Sequence, residues 1–134
     1  MSKPERLTDA PREVTDHREL GGLNNQIDIW CLDSAMQPNN ACHVYQIDVG
    51  GVPTTTLHFQ KGPVKEHGLN GLSNEVLVAI CIDRLRGFQG GQFKCDSNQK
   101  QLEYLEAYMA EAKARTAGRV AGGVEGQDKN VGKG

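Results

Sequence analysis

Residues 70–126 read NGLSNEVLVAICIDRLRGFQ (70–89), GGQFKC (90–95), DSNQKQLEYLEAYMAEAKARTAGR (96–119) and VAGGVEG (120–126). Two apolar-periodic runs flank a connection of about six residues rich in Gly and Gln, which is short enough to fold the second helix back along the first. In the first run Leu77, Ile80, Cys81, Leu85 and Phe88 form a stripe, while Val76, Val78, Ala79 and Ile82 add apolar surface elsewhere. A helix apolar over more than the usual arc needs cover on more than one side. In the second run Leu102, Leu105, Met109, Ala112 and Thr116 step by three and four, with Tyr104 and Tyr108 beside them. Ser73 or Asn74 can cap the first helix, with Glu75 in its first turn; Asp96 can cap the second, with Gln99 completing a capping box. Gly118, Gly122 and Gly123 are expected to end it.

Working back from the hairpin, residues 54–60 (TTTLHFQ) are β-branched and aromatic, and residues 41–49 (ACHVYQIDV) alternate. Residues 26–33 (QIDIWCLD) alternate too, with Ile27, Ile29 and Cys31 opposed to Asp28, Trp30 and Leu32. Residues 34–40, with Pro38 and two Asn, and then Gly50, Gly51 and Pro53, supply the turns. The expected fold is α+β: an N-terminal antiparallel β meander packed on a C-terminal antiparallel helical hairpin. Residues 1–24 form a flexible lead, 25–60 a small antiparallel sheet, 61–126 a loop plus the hairpin and a closing GVEG loop, and 127–134 a flexible tail. Neither end shows a periodicity that would offset the entropy of ordering it.

The 134 residues include one Trp, three Tyr and three Phe, a thin supply for a core, and small cores often complete themselves by oligomerising. A formal net charge of −2 gives no basic excess for a nucleic-acid polymer or a membrane surface, so any anion site is local. There is no secretory signal and no apolar run of about 18 residues, so a cytoplasmic protein is expected. Cys31, Cys42, Cys81 and Cys95 lack a paired spacing and are expected to be reduced thiols, none of them on zinc.

Phe88, Asn98, Arg115 and Arg119 make the sharpest constellation. An aromatic face stacks a purine, an Asn amide reads its edge, and two Arg four residues apart share a helix face and grip phosphates with forked hydrogen bonds. The plain alternative is a core Phe88 and two solvated arginines. From Asn98 to Arg115 is about 25 Å along a helix, too far for one nucleotide to bridge, so such a site would lie between subunits. The first-turn N–H groups beside Asn98 could also donate to a phosphate. His43 with Cys31 and Cys42, joined by Cys81 or Cys95, has no metal-site spacing. Asp83 with Arg84, Glu103 with Glu106, and Cys95 with His67 or His58 lack anything that would position them for catalysis. No catalytic residue, metal or cofactor is expected.

The combination NG…E…DRL..FQ.G.F.C..N…L..LE…RT..R…GVEG, over about 57 residues, resembles the helical-hairpin domain of two phage anti-defence families. One is the Thoeris anti-defence sponge family, which sequesters cyclic ADP-ribose isomers; the other is the anti-CBASS sponge family, which sequesters cyclic oligonucleotides. The β-rich residues 26–60 are similar to the Thoeris type. The resemblance implies a non-enzymatic binder of a cyclic ADP-ribose isomer, of gcADPR type, that blocks activation of the Thoeris effector in the host cytoplasm. It implies a homodimer or higher assembly, up to a hexamer, with sites between protomers. Phe88, Asn98, Arg115, Arg119, Gly123, Val124, Glu125 and Gly126 match ligand-contacting positions. The chain departs from the family pattern at Gly122, where an Arg is common, and at Gln127, where a Thr is common. The alternatives are a sponge for cyclic oligonucleotides, at a second site or instead, and an enzyme that degrades the signal.

Overall fold

A computed structural model describes residues 11–33 and 41–121. The chain divides into two compact units, Met1–Gly62 with Leu69–Leu72, and Pro63–Gly68 with Ser73–Gly134. The fold is α+β, with an antiparallel sheet followed by two packed helices.

The first unit is a four-stranded sheet in the order β1 (Arg12–Val14), β2 (Ile27–Cys31), β3 (Val44–Val49), β4 (Val52–His58), each pair antiparallel. Gly50 and Gly51, at φ 61° and 82°, join β3 to β4 in a two-residue turn whose two left-handed positions match the twist of the strands. Pro53 is tolerated because β4 is an edge strand, and a register shift beside it opposes Asp48 to Pro53 after Ile47 has met Thr55. Beyond β4 a parallel bridge joins Phe59 to Leu72, with the Gln60 N–H donating to Leu72 O at 2.8 Å. Gly71 makes this approach possible, since a Cβ there would stand 2.6 Å from Phe59 O.

β1 and residues 15–24 lie in the segment expected to be a flexible lead. Residues 15–26 are stitched to β2: His17 Nε2 donates to Ile27 O at 2.6 Å, and Arg18 donates to Asn25 O at 3.0 Å, to Glu13 at 3.0 Å and to Asp28 at 2.5 Å. The Asn25 amide donates to Glu19 O. The bond to Asp28 is also the main cause that raises the Arg18 pKa. Cross-strand partners share a face, so Asp28 and Asp48 stand together with Trp30 and Gln46. This polar face is the buried one, with Asp28 at 4% and Asp48 at 3% exposure, whereas Ile27, Ile29, Tyr45 and Ile47 opposite are half-buried. The ordering of the lead rests on polar bonds, which leave no apolar periodicity in the sequence.

Cys31 and Cys42 form a disulfide between the end of β2 and the approach to β3, which corrects the expectation of four free thiols; Cys81 and Cys95 are free and exposed. The spacing of 11 residues carried no signal because strand pairing, not local sequence, brings the two together.

The second unit contains a short helix, α1 (Val64–His67), inside what was expected to be a plain loop, then α2 (Asn74–Gln89) and α3 (Asp96–Ala121) packed as a hairpin. Ser73 caps α2, accepting the Val76 N–H at 3.3 Å. α3 begins one residue earlier than a cap at Asp96 would allow; Cys95 takes that place, its sulfur accepting the Asn98 N–H at 3.4 Å. α3 also runs through Gly118 rather than ending there. The core is Ile82, Leu85 and Leu102, backed by Val78, Leu105 and Met109. On α2 the inward stripe is therefore Val78, Ile82 and Leu85, while Ile80, Cys81 and Phe88 of the expected stripe are exposed. The expected α3 stripe holds through Leu102, Leu105 and Met109.

Candidate functional site

The turn of the hairpin brings Phe88 and Asn98 together through Phe93. Phe88 is 37% exposed and meets Phe93 edge-to-face, with ring centroids 6.3 Å apart, while the Arg84 guanidinium carbon stands 5.5 Å from the Phe88 ring centre. The Asn98 amide donates to Phe93 O at 3.3 Å. Gln89 braces the turn, accepting the Cys95 N–H at 3.0 Å and donating to Gln99 at 3.3 Å. An exposed aromatic edge beside an oriented amide suits a flat, hydrogen-bonding ring. This end is a poor phosphate site, because Cys95 takes the Asn98 N–H and Asp96 puts a carboxylate in the first turn.

Arg115 lies at the other end. It lines a recess of about 350 Å³ with Asn74 and Glu75 from the start of α2 and Tyr108, Glu111, Ala112 and Thr116 from α3. Arg115 is exposed and forms no ion pair with the two glutamates of its own recess. Its guanidinium is thus presented beside the α2 N-terminus, where the Ser73 cap and Glu75 in the first turn leave Arg115 as the group that draws an anion. Arg119, one turn further on, is 8% exposed and already has interactions of its own. Asn98 and Arg115 sit on one unbroken helix, about 25 Å apart at its usual rise. The candidate residues therefore fall into two half-sites on the chain, an aromatic and amide half at the turn and a cationic half at the far end. Gly123, Val124, Glu125 and Gly126 lie outside the described residues, as do Gly122 and Gln127.

Four of the residues considered for catalysis have structural partners. Arg84 covers Phe88, Glu103 accepts from Gln99 at 3.0 Å, Glu106 pairs with Arg86 at 3.0 Å, and Cys95 caps α3. Arg84, Gln89 and Phe93 were not anticipated as parts of the turn end; the one signal for them was Arg84 standing one helical turn before Phe88. Among the described residues, one group has metal-ligating atoms gathered together, Cys31, Asp33 and Cys42 in the first unit. No described helix is long and apolar enough to cross a membrane.

No protein-family model matches the chain. It is 46% identical over 71 residues to a curated protein named Thoeris anti-defense 1, from Bacillus phage SBSphiJ7. The match takes in 53% of this chain and 50% of that protein, so the chain spans about half the length of its curated relative. Over those 71 residues the chain is therefore similar to a phage Thoeris anti-defence protein, in keeping with the resemblance carried by its hairpin motif.

Proposed function

We propose that the protein is a non-enzymatic anti-defence sponge that binds a cyclic ADP-ribose isomer and withholds it from the Thoeris effector of the host cell. The observation that carries the reading is the separation of two complementary half-sites, one where Phe88 of α2 meets the start of α3 and the other toward the far end of α3. Phe88 and Asn98 offer stacking and an amide for a base, and Arg115 offers a cation for a pyrophosphate, yet a single nucleotide cannot span the distance between them. A second protomer, running antiparallel, would bring the turn of one chain to the arginine end of the other. Two such pockets then form by symmetry. On this reading Arg119 and residues 123–126, matched by the family resemblance alone, are further ligand contacts.

The surface of the hairpin suits this assembly. Among the described residues its core holds three buried side chains, while Val76, Ile80, Tyr104 and Tyr108 are left exposed on α2 and α3. A second copy covers such residues in a dimer, and further copies extend it. A sponge needs tight binding, and a nanomolar Kd corresponds to about −12 kcal/mol. Stacking, forked phosphate contacts and a closed pocket together supply interactions of that order.

Titration calorimetry with a panel of cyclic ADP-ribose isomers and cyclic oligonucleotides tests the ligand, and heating the complex tests the mode of action. A sponge returns the ligand chemically intact in the supernatant after the protein is denatured. Recovery of cleaved nucleotide would identify an enzyme, and no heat with any member of the panel would leave the hairpin as an assembly module alone.

A further inference from the structure

The end of β2 and the approach to β3 gather three ligating side chains that the ligand pocket does not use, with the His43 ring beside the carboxylate of one of them. Cys31, Asp33 and Cys42 hold their ligating atoms within 4.8 Å of one another. Cys31 Sγ is 3.6 Å from Asp33 Oδ1. His43 is 4% exposed, and its Nδ1 stands 3.5 Å from Asp33 Oδ2, within ion-pair range but without the geometry of a hydrogen bond. Among the described residues that nitrogen has no other polar partner, so a buried imidazole faces the cluster with a donor atom uncommitted. The sequence reading puts His43 with Cys31 and Cys42 and looks to Cys81 or Cys95 for a fourth ligand; Asp33 stands in that place instead.

We propose that in the reduced protein Cys31, Asp33, Cys42 and His43 bind a single zinc ion, which replaces the Cys31–Cys42 disulfide as the clasp of this corner. Ligand atoms on one tetrahedral zinc stand about 3.3–3.8 Å apart when the metal–ligand bonds are about 2.0–2.3 Å; Asp33 Oδ1 lies at such a distance from Cys31 Sγ and Asp33 Oδ2 from His43 Nδ1, so the carboxylate stands between thiolate and imidazole. The carboxylate is already oriented. Asp33 accepts the His43 N–H on both oxygens at 3.0 Å and the Val44 N–H at 3.1 Å, the kind of outer support that metal-ligating carboxylates have. Arg12 Nη2 lies 3.6 Å from Cys42 Sγ. Two thiolates, a carboxylate and an imidazole favour zinc over hard cations such as magnesium or calcium.

The chemistry balances in two steps. A cellular thiol or dithiol reductant gives two electrons to the Cys31–Cys42 bond and is itself oxidised to a disulfide, while the two sulfurs take up two protons. Zinc then displaces those two protons as it binds the thiolates. The two clasps exclude each other, because the disulfide uses the sulfurs the metal needs.

The test uses the full chain reduced with a phosphine under argon and titrated with cobalt(II), then zinc(II). The expected result is saturation at one cobalt per chain, with thiolate charge-transfer bands and intense tetrahedral ligand-field bands that zinc abolishes. With zinc bound, Cys31 and Cys42 should resist alkylation while the exposed Cys81 and Cys95 react, as located by peptide mass mapping. Weak octahedral cobalt spectra, or equal alkylation of all four thiols in the presence of zinc, would overturn the proposal. Both readouts need only the wild-type chain, so they decide the matter even where a variant fails to fold. Cys81→Ser with Cys95→Ser should keep the spectrum, and its loss there would place the metal elsewhere. His43→Gln should weaken zinc by about tenfold to a hundredfold, and an unchanged affinity would remove His43 from the site.

Discussion

Mixing two inactive variants gives the sharpest test of a pocket shared between protomers. Arg115→Ala removes a guanidinium that has no ion pair among the described residues, so its loss leaves no buried charge behind and the folded chain should persist. A charge-assisted hydrogen bond is worth about 1.5–3 kcal/mol, which is about one to two decades in Kd. Asn98→Ala removes the amide some 25 Å away, by the helix rise, together with its bond to Phe93 O. In a two-fold dimer each pocket would take Asn98 from one chain and Arg115 from the other. A mixed dimer of the two variants then has one pocket with both lesions and one with neither. Random re-association of equal amounts makes half the dimers mixed, so about one quarter of all pockets should regain wild-type affinity. Co-refolding, isolation of differently tagged mixed dimers and calorimetric titration measure this directly, with one high-affinity site per chain pair expected in the purified mixed dimers. Mixed dimers with no high-affinity site would refute the shared pocket, because a site within one chain stays broken however the chains are paired.

Other expectations concern stability and contact. Leu102→Ala empties one of three buried positions of the hairpin and should cost about 2–5 kcal/mol in chemical denaturation. Gly71→Ala should destabilise the chain by more than about 1 kcal/mol, since its Cβ meets the Phe59 and His58 backbone, whereas Gly87→Ala, with open space around it in α2, should stabilise by about 0.5–1 kcal/mol; paired thermal melts compare them. Non-reducing digestion of oxidised protein should release the Cys31 and Cys42 peptides joined, and reduction in zinc-free buffer should lower stability by about 2–4 kcal/mol. Phe88→Ala should weaken ligand binding while leaving the circular dichroism of the hairpin unchanged, because the ring lies outside the buried core.

The sequence was most informative where structure follows from local repetition. Strand alternation in residues 26–33 and 41–49, the two-glycine turn and the α3 stripe of Leu102, Leu105 and Met109 could all be read at the level of single residues. The inward face of α2 was misread because that helix is apolar nearly all round, and periodicity cannot choose one face when several qualify. β1 and the stitching of residues 15–26 were invisible for the opposite reason: Arg18, His17 and Asn25 order the chain through polar bonds to specific atoms, which no hydropathy pattern records. Of the candidate site, the types and spacing of Phe88, Asn98 and Arg115 were legible, and so was the separation of Asn98 from Arg115 along one helix. The bracing by Gln89 and Phe93 and the glutamates that share the recess of Arg115 were not, since they depend on how α2 and α3 pack.

The bridge between Phe59 and Leu72 also bears on how such a protein can be inherited. The chain leaves the first unit after Gly62, returns at Leu69 and leaves again after Leu72, so the units are joined by three crossings of the backbone. A gene segment ending at Gly62 would lack Leu72 and Gly71, and with them the hydrogen bonds that Leu72 makes with His58 and Gln60 at the margin of the sheet. A segment beginning at Ser73 would leave behind α1. No single recombination point separates sheet from hairpin without wounding one of them. Recombination that trades one unit for another should therefore be rarer than exchange of the whole, and where hybrids do occur their junctions should fall beyond Leu72, with residues 63–72 travelling together with the sheet.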